Sequence, residues 1–430
     1  MSQVACSPTP AVGGNGTATD GVKPYATGVP GPAIAPESAG HRAGRTLAAA
    51  AAVSVGAVTG TGAASIAGAA YFARRVLTPD RRRPDDTIIL EAGDGHVVLG
   101  VGEETTVDGH YGLWLDGGRG HARVGEILAV DVAAGRVTRR VDGVDEGVLG
   151  PGTARWNPYY HWAAPAESLG VPTESVLVDA EVGPMPAWLI PGTDPQRWAI
   201  LVHGRGARRQ ECLRAVAPLR ATRHTVLIPA YRNDEDAPPG PDGRYNLGLS
   251  EWRDIDAAMR YAVAHGARDL TLVGWSMGGA IVLQTLDRSD SAGLVGTVVL
   301  DGPVVDWADV LRFHARENHV PESIHRLSTT LMGRQWSRRL VGVHEAVDVA
   351  RTNWVARAGE LRHRMLLIHS RDDEFVPFGP SLELAQARPD LITWVPWETA
   401  RHCKEWNTDP RRWEDAVVDF LTTSLLSGRG

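Results

Sequence analysis

Cysteine is scarce. The 430-residue chain holds three, Cys6, Cys212 and Cys403, too few for a disulfide framework and at spacings that fit no zinc site. An excess of positive charge is also missing. Lys and Arg number 44 against 51 Asp and Glu, a net charge of −7, which leaves no electrostatic footprint for nucleic acid. These shortages exclude a small secreted disulfide scaffold and a basic nucleic-acid binder, and the overall composition excludes a polytopic membrane protein. What is present is a 43% hydrophobic fraction, over enough length for two or three folded units with a sizeable core. The 48 glycines and 28 prolines imply that part of the chain is not packed.

Residues 1–45 contain 14 Gly and Pro and almost no periodic apolar positions. They read as a disordered tail, because such a segment cannot bury enough surface to offset its chain entropy. Residues 46–73 carry no charge across 28 positions. That is long enough for a bilayer, although Ala, Gly, Ser and Thr dominate. Three readings stand: a membrane-spanning anchor, a cleaved signal with a small-residue site at Ser65-Ile66-Ala67, or an Ala/Gly linker. Arg74, Arg75, Arg81, Arg82 and Arg83 outweigh Arg42 and Arg45, so an anchor would leave the domain that follows in the cytoplasm. Without an anchor, a soluble or exported protein is expected.

Residues 86–168 are β-rich. Strands are predicted at Thr87–Leu90, His96–Val101, Tyr111–Leu115, Val124–Val130 and Arg136–Val141, divided by Asp-Gly and Gly-Gly turns. No catalytic constellation stands out there, and a β module beside the main domain is expected. From 171 to 426 short apolar runs alternate with helical patterns, which predicts an α/β fold, a mostly parallel sheet with helices on both faces. More than 60 residues of helical periodicity separate the strand ending at Asp301 from the one starting at Met365. That is too long for an ordinary crossover, so residues 306–362 are expected to include a lid.

The sharpest signal is Gly274-Trp275-Ser276-Met277-Gly278-Gly279, between the apolar strand Leu270–Val273 and a helix. This is the setting of a Gly-x-Ser-x-Gly elbow. The turn is so tight that residues two places either side of the serine must be small, and the hydroxyl is presented at the carboxyl edge of the sheet. The N–H of Met277, at the helix start, can point at the same reaction centre.

On these residues the segment 171–426 resembles the α/β-hydrolase superfamily, and the elbow resembles that of its single-domain esterases and prolyl-oligopeptidase-like peptidases. The resemblance implies a serine hydrolase with nucleophile, acid and histidine in that chain order. Its His-Gly pair has a counterpart in His203-Gly204, which implies that the N–H of Arg205, with that of Met277, faces the oxyanion. The acid is expected in the loop His369-Ser370-Arg371-Asp372-Asp373-Glu374-Phe375-Val376-Pro377. Asp373 fits the family's offsets, while Ser370 stands in place of the usual glycine. Asp301 is the rival acid, and Glu374 reads as a solvated loop charge. His402 is the expected base, with Arg401 where many relatives carry glycine. Histidine suits the role because its pKa near 6.5 lets it take and return a proton at neutral pH. His203 and His369 read as structural, and Cys403 as an ordinary buried thiol.

Tyr231 and Trp275 are candidates for substrate contact. Trp307, Trp336 and Trp354 are candidates for an apolar pocket wall. The expectation is a serine hydrolase that cleaves carboxylic esters of a small-molecule acyl substrate through an acyl-enzyme, with no cofactor, no metal and no nucleic-acid partner. A peptidase or amidase is the alternative within the same chemistry. A non-catalytic, membrane-tethered binding module of the same fold is the alternative from another class.

Overall fold

The computed structural model describes residues 65–79 and 84–427. The Gly/Pro-rich segment 1–45 and the first part of the uncharged run, residues 46–64, lie outside the described residues. The chain divides into two units, 1–60 and 61–430, and every described residue belongs to the second.

The first described element is helix α1, residues 65–77. It includes the last nine positions of the run read as a possible span. Ala69, Ala73 and Leu77 are fully buried in the main hydrophobic core, so one face of this part of the run packs into the core, while Tyr71 on the other is 72% exposed. Small residues let α1 approach its neighbours closely. Among the described residues no helix is long and apolar enough to cross a membrane.

Six strands follow: β1 (Thr87–Gly93), β2 (His96–Gly100), β3 (Tyr111–Leu115), β4 (Gly120–Asp131), β5 (Arg136–Glu146) and β6 (Gly152–Asn157). They close into an antiparallel barrel in the order β1-β2-β5-β4-β3-β6. The sequence predicts the first five. The sixth was not anticipated, because its alternation is short and rests on only two apolar residues, Ala154 and Trp156, yet it closes the ring by pairing with both β1 and β3. Inside lie Val97, Leu99, Tyr111, Leu113, Val124 and Val137. Arg139, also fully buried, donates to the carbonyls of Gly125, Thr105, Val107 and Gly109 at 2.8–3.0 Å. A buried guanidinium is tolerated only when its donors are satisfied. Here three of its four acceptors belong to the single loop between β2 and β3, which Arg139 therefore fastens to the barrel.

Helix α2 (Pro165–Leu169) leads into an eight-stranded sheet. Its strands are β7 (Glu174–Ala180), β8 (Gly183–Ile190), β9 (Arg197–Val202), β10 (Thr225–Pro229), β11 (Asp269–Trp275), β12 (Val295–Asp301), β13 (Arg364–Ser370) and β14 (Ile392–Trp397). The spatial order is β14-β13-β12-β11-β9-β10-β8-β7, and β8 alone runs against the others. The central strands are apolar throughout because both faces are covered. In β9, Trp198, Ile200 and Val202 face one core while Ala199 and Leu201 face the other.

The covering helices are α3 (Val216–Ala221), α4 (Trp252–Ala264), α5 (Met277–Arg288), α6 (Trp307–Glu317), α7 (Glu322–Gly333), α8 (Arg338–Val341), α9 (Phe378–Ala387), α10 (Glu405–Thr408) and α11 (Pro410–Ser427). The expected helix over 209–221 begins as a 3-10 segment, Arg209–Ala215, before α3. Helices α6 to α8 lie in the long excursion between β12 and β13.

Arg139→Met would remove the donors of four carbonyls at once. The expected loss is about 3 kcal/mol or more, read as a lower midpoint in urea denaturation. A midpoint equal to that of the unaltered protein would show that the guanidinium is not what secures the loop.

Candidate active site

Strand β11 ends at Trp275 and α5 begins at Met277, so the reversal falls on Ser276, at φ 53° and ψ −118°. A side-chain-bearing residue in that region costs about 1–3 kcal/mol. The neighbours hold it there. The Ser276 N–H donates to the Asp301 carbonyl at 3.1 Å, and the Ser276 carbonyl accepts from the Val304 N–H at 3.0 Å. The flanking glycines are demanded by distance. A Cβ on Gly278 would sit 2.1 Å from the Val202 oxygen, and one on Gly274 would sit 2.7 Å from the Gly278 oxygen.

The loop after β9 is pressed against Ser276, since a Cβ on Gly204 would come within 3.2 Å of its Cβ. Around Arg205 the peptide units are pinned. The Gly204 N–H donates to Glu211 Oε2 at 2.6 Å, and the Gly206 N–H donates to the Tyr245 hydroxyl at 3.1 Å. The Tyr231 hydroxyl donates to the Gly204 carbonyl at 2.9 Å, and the Tyr231 ring stacks on His203. The Arg205 side chain turns away and donates to the carbonyls of Val76 and Thr78, at 3.0 and 2.7 Å, capping α1. Met277 is the first residue of α5, so its N–H has no acceptor within the helix.

His402 meets both of its expected partners. Its Nε2 lies 2.9 Å from Ser276 Oγ, and its Nδ1 lies 2.8 Å from Asp373 Oδ2. A carboxylate only accepts, so Nδ1 carries the proton and the Nε2 lone pair faces the hydroxyl. Burial pulls the His402 pKa down, but the Asp373 carboxylate and its hydrogen bond, with Glu374 beyond, outweigh this, and the net shift is upward from 6.5. Burial would likewise raise Asp373. His402 and His369 instead hold it far below the usual carboxylate range. Asp373 Oδ1 accepts from the N–H groups of Phe375 and Val376, and Oδ2 also takes His369 Nε2 at 3.1 Å.

The two acids beside Asp373 grip the backbone of the histidine loop. Asp372 Oδ1 accepts from the N–H groups of Ala400 and Arg401, each at 2.9 Å, and Glu374 Oε2 accepts from the His402 N–H at 3.0 Å. Glu374 is exposed, as expected of a loop charge, but it also holds the His402 backbone. His402 also stands between two residues with positive φ, Arg401 at 64° and Cys403 at 52°. Burial pushes the Cys403 thiol far up, which keeps it protonated.

Several expected contacts are not made. Tyr231 and Trp275 are both fully buried and present no surface to a substrate. Tyr231 braces the loop at 204, and Trp275 points to the opposite face of the sheet, where its Nε1–H donates to Asp301 Oδ2 at 3.1 Å. Asp301, the rival acid, also accepts from Trp413 Nε1–H at 2.9 Å and lies beneath the elbow. Trp307 and Trp354 are core residues, whereas Trp336 is 73% exposed. The residues that reasoning missed are Glu211 and Phe375. Phe375 packs its ring 5.1 Å from that of His402, and its carbonyl accepts from His314 of α6. The signal for Phe375 was its place two residues after Asp373; Glu211 had none.

Residues 88–157 match a domain of unknown function, DUF8805, and residues 199–422 match the alpha/beta hydrolase family. No curated protein matches the chain. Among solved structures, the Pyrococcus furiosus esterase PF2001 is 18% identical and covers 61% of this chain and 94% of its own, with a TM-score of 0.47. The esterase EaEST of Exiguobacterium antarcticum is 14% identical and covers 58% of this chain and 100% of its own, with a TM-score of 0.42. Est1E of Butyrivibrio proteoclasticus is 15% identical over 59% of this chain and 99% of its own, at a TM-score of 0.43. The family match alone takes in more than half of the 430 residues: the chain belongs to the alpha/beta hydrolase family.

Proposed function

We propose that this protein is a serine hydrolase that cleaves carboxylic esters. The observation that carries the reading is the continuous hydrogen-bonded line from Ser276 Oγ through His402 to Asp373, at 2.9 and 2.8 Å. His402 takes the Ser276 proton as the oxygen attacks the acyl carbonyl. Asp373 fixes the tautomer and stabilises the imidazolium. The N–H groups of Arg205 and Met277 receive the oxyanion, and preorganised donors of this kind typically supply about 10²–10³ in rate each. His402 then returns its proton to the departing alcohol, leaving an acyl-serine. Water, deprotonated by the same imidazole, attacks that ester and restores the hydroxyl.

Phe375, 37% exposed beside His402, offers an apolar rim for the acyl or alcohol group. The helices over 306–362 act as the lid on that side, with His314 of α6 reaching Phe375. An amidase would use the same groups.

With a p-nitrophenyl ester of short acyl chain, the enzyme should give a product burst. Ser276→Ala should lose the burst and at least about 10⁴ in kcat/KM; hydrolysis at the original rate would sink the assignment. The pH dependence follows from the shift at His402. The imidazole must be neutral to accept the proton, so kcat/KM should fall as pH drops through an apparent pKa above 6.5. Asp373→Asn removes the main upward influence, so its residual activity, lower by about 10⁴, should show the acid limb at lower pH. An unmoved limb would mean that Asp373 is not the partner of the base.

A further inference from the structure

The loop that carries His402 is gripped from a second side, by the barrel. Between β2 and β3 the chain presents Glu103 and Glu104. Lys404, one of two lysines in the chain, donates to Glu104 Oε2 at 2.5 Å. Arg401 Nε lies 3.1 Å from Glu104 Oε1, and an Arg401 Nη reaches Glu103 at 3.2 Å. Backbone contacts reinforce the charges. The His110 N–H donates to the Asn407 carbonyl at 2.8 Å, and Asn407 Nδ2 donates to the carbonyls of His110 and Pro158 at 2.6 and 2.8 Å. The fit is close enough that a Cβ on Gly109 would lie 2.2 Å from the Asn407 oxygen.

From this geometry we infer that the barrel is a positioning element for His402. Its β2–β3 loop, fastened by Arg139, uses Glu104 to hold Arg401 and Lys404, and through them sets the imidazole over Ser276. The inference rests on His402 being the base. Two details give it direction. Arg401 and Cys403 both have positive φ, a backbone that side-chain-bearing residues leave unless restrained, and the ion pairs restrain the segment that contains them. Glu104 is the partner that matters. Its side chain is 33% exposed and that of Lys404 only 10%, whereas that of Glu103 is 84% exposed, and an exposed pair contributes little. Glu374 grips the same two cations from the hydrolase side, at 3.5 Å from Arg401 and 3.8 Å from Lys404. The pair is thus shared between the two modules, and losing Glu104 leaves Lys404 with Glu374 alone.

The test uses the full chain with Glu104→Gln, Lys404→Met and the two combined. Hydrolysis of the p-nitrophenyl ester and amide hydrogen exchange over residues 400–407 are measured on each. Glu104→Gln is expected to lower kcat on the order of 10-fold while KM stays within about twofold, since the damage is to the alignment of the base. Lys404→Met should do the same, and the double variant should be no worse than either single one. Exchange over 400–407 should quicken in all three. Unchanged exchange in Glu104→Gln overturns the inference, and so does faster exchange with kcat intact. If the unaltered protein shows no Ser276-dependent turnover, the serine-hydrolase reading fails by itself. The exchange measurement then still decides whether the barrel holds the loop. Should Glu104→Gln not fold, Lys404→Met breaks the same bridge from the other side.

Discussion

A buried carboxylate that keeps its charge is the constraint on which the rest of the site is built. Asp373 lies out of water, where an ionised carboxylate is costly unless its oxygens are filled. Two peptide N–H groups of its own loop occupy Oδ1, and two imidazoles, His369 and His402, share Oδ2. The first three of these donors belong to the same loop or to the strand that feeds it. Three of the four contacts that fix Asp373 are therefore independent of the histidine loop, and His402 meets a charge whose position does not depend on it alone. An imidazole bound this way has its tautomer chosen and its ring plane fixed. Little reorganisation would remain for a proton transfer at Nε2, as the proposed role of general base requires.

The same site concentrates backbone strain at the points that must be exact in space. Ser276, Arg401 and Cys403 all adopt positive φ, a conformation that persists only where surrounding contacts over-determine it. At Ser276 those contacts are with the carbonyl of Asp301, the N–H of Val304 and the close approach of Gly204 and Gly278. At Arg401 and His402 they are with Asp372 and Glu374. Strain and restraint are thus paired on both sides of the hydrogen bond between Ser276 and His402. That pairing explains why three consecutive acids are used: the middle one holds the ring and the outer two hold the chain that bears it.

How much of this could be read from the residues depends on the range of the interaction. The elbow was legible because its pattern is local: strand, Gly274, Ser276, Gly278 and helix all fall within residues 269–288, even though the contact that demands Gly278 comes from Val202 of β9. The parallel sheet was legible from the apolar strands β9 to β13, which are covered on both faces. Glu374 and Glu211 were not, because a charged residue in a loop looks the same whether it meets water or a backbone N–H from a distant segment. Tyr231 and Trp275 were misjudged for a related reason. Both sit at the carboxyl edge of the sheet in sequence, yet their side chains turn inward, and only the packing reveals that. Strand β6 was hidden because closing a barrel asks little of its last strand beyond two pairing edges. Helix α1 was hidden because an alanine-rich helix against a core and a marginal membrane span share one composition.

The choice between the two candidate acids shows how register decides chemistry. Asp301 ends β12 and Asp373 follows the neighbouring β13, and both are buried. Successive side chains of a strand alternate between faces, and Trp275, beside Ser276 at the end of β11, turns to the face opposite the hydroxyl. Asp301 is paired with Trp275 in register and shares that face, where the indole N–H groups of Trp275 and Trp413 both converge on its Oδ2. Its side chain is spent on the floor of the sheet. What it gives to the edge is its carbonyl, which accepts from the Ser276 N–H and from the Cys403 thiol. Asp373 lies past the end of β13, three residues beyond Ser370, where the chain has left the pleat and its side chain is no longer bound by alternation. Freed from the sheet, the later carboxylate can reach the histidine loop, whereas the earlier one is held beneath it.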